Sequence, residues 1–522
     1  MVIWTGGGRS AESNKVSLEN SLGTTTVEGQ IIGGYVSGTG IENNYNNNNS
    51  SSNTVSLKNV EVHFYVAGGY VNNIKDNVFV DVDGDVTGNR IDVTGARIGE
   101  YVAGGFLAGS GKVESNIVKL TDATVQSSVT GGFVQQVEDK NNSGDSLENK
   151  VYLINTTVNS AGVAGGYNLA ENRGSASQNE VNITANSSSP SDFNINAYVV
   201  GGLIGTVGNS ERIGDTNNNQ VTILNSRNEG NIVIDGYVAG GAGQGFGKIN
   251  SKNNKVFLTA GSEENGALGG GRGSIIITST VPDSAGYVLG GLVGKNASGD
   301  VSENSVTINA INSGRVDVSN YVVGGVNQGI GDAGTNSVSI SSSDTSEVNI
   351  QKYVLGGLVD ASGSGSTYEN KVDINGIVKI AGYVAGSVNQ GSGKAISSKS
   401  TVNINGLQST GPIVYSIEIG SYVLGGSIEG NGVGSTVENR ISIKNAYVKQ
   451  FIAGGYNKGT GRGISNASKN NVDLEAIKLE EKDTSGNFVL LNHYIAGGML
   501  LSDTQNLSLI HISEPTRLGM IS

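Results

Sequence analysis

The chain has 522 residues, with 33 Lys and Arg against 46 Asp and Glu, a formal net charge of −13. An acidic chain without a basic run argues against nucleic acid and anionic membrane surfaces as partners, since both need clustered cations to neutralise phosphate. The absence of cysteine removes disulfides and thiolate metal sites, and no stretch approaches the roughly 18 apolar residues that would span a bilayer.

Glycine is abundant, 81 residues against 4 prolines, with no Gly-X-Y period, so collagen is excluded. This balance suits repeated tight turns between strands. Met1-Val2-Ile3-Trp4 has no basic region followed by an apolar core and is not a signal peptide, and we read Met1 as lying inside a longer protein.

From there a five-residue stretch keeps returning. Tyr65-Val66-Ala67-Gly68-Gly69 recurs from Tyr101 and Tyr237, and with Leu or Val in the middle from Tyr198, Tyr287, Tyr321 (ending Gly324-Gly325), Tyr353 and Tyr422. Looser copies include Ile31-Ile32-Gly33-Gly34, Val129-Thr130-Gly131-Gly132, Phe451-Ile452-Ala453-Gly454-Gly455 and Tyr494-Ile495-Ala496-Gly497-Gly498. Such self-similarity outranks any local motif and predicts one elongated body, residues 1–507, with no domain boundary.

Two further signals share the repeat. Asn-x-Val-x-Ile appears from Asn14, Asn149, Asn179, Asn304, Asn370 and Asn439, its apolar residues alternating with polar ones as in a strand with one buried face. An apolar pair stands five and three residues before the aromatic, as Val316 and Val318 before Tyr321. Where Tyr-Val starts follow one another without a looser copy between them, they lie 30 to 50 residues apart. The expected fold is therefore all-β: a single-stranded parallel β-helix, or β-solenoid, of about three strands per coil of 30–40 residues, with right-handed crossovers. Roughly fifteen coils at about 4.8 Å make a rod on the order of 70 Å. Length varies mainly after Gly-Gly, as in Gly205 to Asn218, and after Asn-x-Val-x-Ile, as in Ala260 to Gly273, so loops should project from the corners. Both parities of the Gly-Gly strand are apolar, which leaves the direction of its Tyr ring open.

Ser508–Ser522 departs from the pattern and resembles the translation of a sequencing adapter; it is set aside as non-native.

Catalytic, cofactor and metal residues are assigned to none of the candidates. His63 and His493 sit about a dozen coils apart and cannot share a site, and His511 lies in the tail. Asp81-Val82-Asp83-Gly84-Asp85 has a calcium-loop composition, but the alternation Val78, Val80, Val82 makes Asp81 and Asp83 the wet face of a strand. Gly240–Gly245 lacks the following helix that a phosphate loop needs. Asp92, Asp317 and Asp373 fall singly on solvent-facing positions, and Glu303 and Glu369 read as corner residues. Gly68, Gly69, Gly324 and Gly325 are assigned to turn geometry. Asn149, Asn179, Asn304, Asn370 and Asn439 are read as corner residues tolerant of the left-handed conformation, hydrogen-bonding from coil to coil in a ladder.

The repeat style, Gly-Gly-Tyr or Gly-Gly-Leu strands followed by Asn-x-Val-x-Ile, resembles the passenger regions of bacterial autotransporters of the type V pathway, including adhesin- and haemagglutinin-like surface proteins, over residues 3–507. The resemblance implies a signal peptide, display at the cell surface, and an outer-membrane β-barrel beyond the carboxy end. The expected function is a non-enzymatic, surface-displayed scaffold for adhesion to host or bacterial glycans or proteins, without cofactor and without nucleic acid; the alternative is a carbohydrate-active β-helix enzyme, a polysaccharide lyase or hydrolase.

Overall fold

The computed structural model describes residues 10–501 apart from 22, 24, 38–47, 76–77, 80, 138–141, 187–190, 206–210, 228, 262–272, 281–285, 408–415, 462–464 and 480–493. Among these residues every regular element is a strand, and nearly every pairing is parallel between one coil and the next. The chain is a parallel β-helix. The tail Ser508–Ser522, His493 and most of the Ala260 to Gly273 stretch lie outside the described residues.

One coil shows the plan. Gly111–Glu114 leads by a sharp corner into Ile117–Thr121, a short step follows to Thr124–Val125, and Val129–Gln135 closes the turn with the Gly-Gly strand. The coil thus carries the three expected strands and a fourth, ahead of the asparagine. That fourth strand turns only one or two side chains inward, such as Val113, so it leaves little alternation in the sequence. The Gly-Gly strands stack into a sheet of 14, and the asparagine and closing strands form a 26-stranded system because Arg440–Val448 and Asn471–Leu479 run through both.

Register is kept while length is not. Paired second glycines are 27 residues apart from Gly105 to Gly132 and 50 apart from Gly241 to Gly291, and the surplus is taken up at corners. Gly205 to Asn218 includes a seven-residue strand, Glu211–Asn217, which pairs with Phe246–Lys252. The Val78 segment also departs from expectation: Val78–Phe79 pairs antiparallel with Ile74–Lys75 and Val78 is exposed, so it is a small side excursion and not a coil strand.

Inward Val, Ile and Leu from three of the strands build one core along the axis, including Val306, Ile308, Val316, Val318 and Val322. Burying each such side chain contributes about 1.5–3 kcal/mol. Because every coil touches only its neighbours, stability is distributed along the rod.

The Gly-Gly pair sits in mid-strand, which corrects its assignment to turns. The glycines of the pairs do not adopt positive φ. The need is for close approach: a Cβ on Gly68 would lie 2.5 Å from the Gly104 carbonyl oxygen and 3.0 Å from Asn89 Cβ, and one on Gly69 would lie 2.8 Å from Asn89 Cγ. Gly324 and Gly325 meet Ser337 and Asn336 in the same way. Both glycines therefore face inward, and the strand's alternation slips by one residue there. Val66 joins the central core, Ala67 and Tyr70 an outer cluster, and Val71 an inner one. That slip is why both parities of the strand are apolar.

Candidate functional site

Beneath the glycines runs a column of asparagines from Asn14 through Asn53, Asn89, Asn116, Asn149, Asn179, Asn219, Asn254, Asn304 and Asn336 to Asn370. From Asn53 onward each amide oxygen accepts twice from the preceding asparagine, as Asn179 Oδ1 does from the Asn149 backbone N–H at 3.0 Å and Nδ2 at 3.1 Å. The other Nδ2 hydrogen goes to a backbone carbonyl, from Asn149 to Val113 at 2.9 Å and from Asn304 to Ser251 at 2.8 Å. Buried polar groups are thereby fully used. Asn370 donates to Ala333 O at 2.8 Å, and beyond Ser400 the column resumes with Asn439 and Asn470. The left-handed residue at this corner is the one before the asparagine, among them Glu148, Glu303 (φ 59°) and Glu369 (φ 52°), and not the asparagine itself. This column is a structural spine with no spare valence for a ligand.

Where Ser400 replaces the asparagine, Ser387 replaces the second glycine of the facing pair. The Ser387 hydroxyl fills the space an amide takes elsewhere, 2.9 Å from Ser400 Oγ and 2.8 Å from Ser397 Oγ.

The outer side of the Gly-Gly sheet carries the aromatic residues. Tyr65 stacks on Tyr101 at 4.7 Å, and a longer column runs Tyr198, Tyr237, Tyr287, Tyr321, Tyr353, Tyr383, Tyr422, Phe451 and Tyr494, with Tyr287, Tyr321 and Tyr353 parallel to within 2°. A second column, Tyr35, Tyr70, Phe106, Phe133 and Tyr167, stands five residues further along the strand. Burial pushes the phenols of the longer column up, Tyr353 to about 12. The face is closed by its own side chains: Ala67 and Ala103 between the two columns are buried, and where the second column gives way to aliphatic residues Leu289 and Leu355 are buried beside the longer one.

At the end of the Gly-Gly strands a polar row stands in register: Gln328, Asp360, Gln390, Glu429 and Lys458, each held by a backbone hydrogen bond to the preceding coil. Burial raises the Glu429 carboxyl, with Gln390 and Ser427 hydrogen-bonded to it, and its charge in turn raises Tyr383 and Tyr422. The row follows Asn327, Asn389 and Asn457, which accept from the backbone N–H of Gly329, Gly391 and Gly459. The triplet Asn-x-Gly that marks this cap, at Asn327, Asn389 and Asn457, is the sequence signal of this row.

A concave feature lies on the outer face of the asparagine strands. Ser115, Ile117, Glu148, Lys150, Tyr152 and Gln178, from three successive coils, line a shallow cleft of about 410 Å³. Ile117 pairs with Lys150 and Lys119 with Tyr152, so the cleft spans two outward rows of the sheet.

The other sequence candidates are dispersed. His63 is exposed and pairs through Nδ1 with Glu28 at 2.8 Å. Asp92, Asp317 and Asp373 each bind the base two residues earlier, Arg90, Arg315 and Lys371, at 2.6–2.8 Å. Asp81 accepts from Ser110 Oγ and Asp85 from the Lys112 N–H. Gly240–Gly243 are part of a Gly-Gly strand. Among the described residues no group of three or more His, Cys, Asp or Glu is placed to hold a metal ion. No protein-family model matches the chain, and no curated protein matches its sequence.

Proposed function

We propose that the chain is a non-enzymatic, surface-displayed β-solenoid scaffold of the autotransporter-passenger kind, adhesive through groups spaced along its length, with host or bacterial surface glycans or proteins as partners. The observation that carries this reading is the conserved register under variable corners: four strand positions repeat every coil while coil length runs from 27 to 50 residues. A rod built this way repeats weak contacts at fixed spacing, and avidity multiplies them. Display and outer-membrane anchoring follow from the resemblance in repeat style. Beads coated with the protein should adhere to cell surfaces well above uncoated beads, and soluble single chains should compete poorly. Equal adhesion by coated and uncoated beads would overturn the proposal.

The alternative enzyme is favoured by one observation, the raised Glu429 in register with Asp360. Two coils at about 4.8 Å put them roughly 10 Å apart, beyond the roughly 6.5–9.5 Å of inverting glycosidases, and Gln390 lies between. The scaffold is the better reading. Release of reducing ends from a polysaccharide, abolished by Glu429→Gln, would reverse that order.

A further inference from the structure

We infer that the cleft around Tyr152 is a binding site for a neutral pyranose of a surface oligosaccharide. This rests on the adhesive reading above and gives it a place and a ligand class. The cleft's volume, about 410 Å³, falls within the roughly 300–1,000 Å³ of small-ligand sites. Its lining has the two characters a sugar ring needs. Tyr152 and Ile117 supply apolar surface for the C–H face, and Tyr152, on the asparagine strand, stands apart from both aromatic columns. Around them stand groups that can pair with vicinal hydroxyls: Gln178, Glu148, Ser115 and Lys150.

These polar groups are already oriented. Ser115 Oγ donates to Glu148 Oε2 at 3.3 Å and Lys150 Nζ lies 3.4 Å from Glu180 Oε2. On the far side Arg90 is clamped on Asp92 through Nε at 2.6 Å and Nη2 at 3.0 Å, close enough to Tyr152 for the two to interact electrostatically. Groups fixed before binding lose little entropy on contact. Charge decides which sugar. Lys150 is offset by Glu180, Arg90 by Asp92, and Lys119, beside Tyr152 in the same outward row, by Glu148, so the cleft has no net cation to hold a sialic or uronic acid and suits a neutral hexose or N-acetylhexosamine. Ser115, Glu148 and Gln178 are the left-handed corner residues of three successive coils, so they stand in register along one side of the cleft.

The test uses the full chain and a panel of neutral trisaccharides of glucose, galactose and N-acetylglucosamine, with sialyllactose as the anionic probe, read by saturation-transfer NMR. At least one neutral member should bind weakly, sialyllactose should not, and Tyr152→Ala should weaken binding by about tenfold or more. Tyr368→Ala, on a different strand row, should leave it unchanged. Lys150→Met is a second variant that removes a polar partner and keeps the stem over the sheet. Binding by none of the panel, or binding insensitive to both Tyr152→Ala and Lys150→Met, overturns the inference. The coated-bead assay separates the two claims: adhesion that survives enzymatic deglycosylation of the target surface sinks the sugar site and leaves the adhesive reading standing. Trisaccharide binding without bead adhesion does the reverse.

Discussion

The pairing of Ser387 with Ser400 offers the most direct test of why the glycines are there. In the coils on either side, a Cβ on Gly357 would lie 2.5 Å from the Asn370 amide and one on Gly426 2.7 Å from Asn439 Oδ1. Ser400→Asn alone therefore drives an amide into Ser387, an overpacking cost of about 1–3 kcal/mol. Ser387→Gly alone removes the bonds to Ser397 and Ser400 and costs about 1 kcal/mol. Together the two changes rebuild the ladder, with a new amide oxygen for the Asn370 N–H and Nδ2 and a new donor to Asn439 Oδ1. At about 0.5–1.5 kcal/mol per bond, less the serine bonds lost, the double variant should equal or exceed the parent. The coupling expected is about 2 kcal/mol, within the ~0.5–3 kcal/mol range of contacting pairs. Because a long repeat array does not unfold in two states, the readout is native-state hydrogen exchange of the backbone amides of residues 370, 400 and 439. Additivity of the single variants to within about 0.3 kcal/mol would refute the close-approach argument.

Three further outcomes are expected. Val306→Asp places an unpaired charge in the axial core and should expose its coil to protease, whereas Thr307→Asp on the wet face should not; equal sensitivity would reject the inside/outside assignment. The stacked tyrosines hold pKa values above the ordinary 10, Tyr353 at about 12, so their contribution to stability is complete below pH 10 and is lost as pH rises through the folded values. Tyrosinate absorbance should then grow together with loss of the β signal by circular dichroism, and tyrosinate that develops fully near pH 10 in a folded chain would contradict the burial of the column. Glu429, raised by burial, favours folding while protonated and loses that contribution as pH rises through its folded value. Glu429→Gln should therefore be more protected than the parent at neutral pH, the gap should close towards about pH 4, and Tyr383 and Tyr422 should titrate earlier; an unchanged exchange profile at neutral pH would dismiss the carboxylate as a cost.

Much of this architecture is legible in the sequence because a solenoid writes its rule many times. Alternation such as Val306-Thr307-Ile308 gives the asparagine strand its inner face, and the fixed spacing from Val316 and Val318 to Tyr321 gives the corner before the Gly-Gly strand. Periodicity fails where alternation itself fails. At Gly68-Gly69 two consecutive residues face inward, so counting by twos assigns the Tyr rings to neither side. The strand ahead of each asparagine leaves too short an alternation to be read. Residue type alone puts the left-handed corner one residue too late, because asparagine is the familiar occupant of that conformation, while here Ser115, Glu303 and Lys399 adopt it and release the asparagine to point inward. The Tyr152 cleft has no motif, since Ser115, Lys150 and Gln178 come from three coils and meet only through strand pairing.

The asparagine column also bears on how such a chain can change through descent. Its rungs link each coil to the next by the same contacts whether the coil holds 27 residues or 50, so the unit that must stay whole is the interval from one Asn codon to the next. Unequal crossing-over between any two such codons would delete or duplicate complete coils and still rejoin glycine to asparagine in register. An exchange that parts Ser387 from Ser400 would bring a serine against an amide, so these two positions should be inherited together.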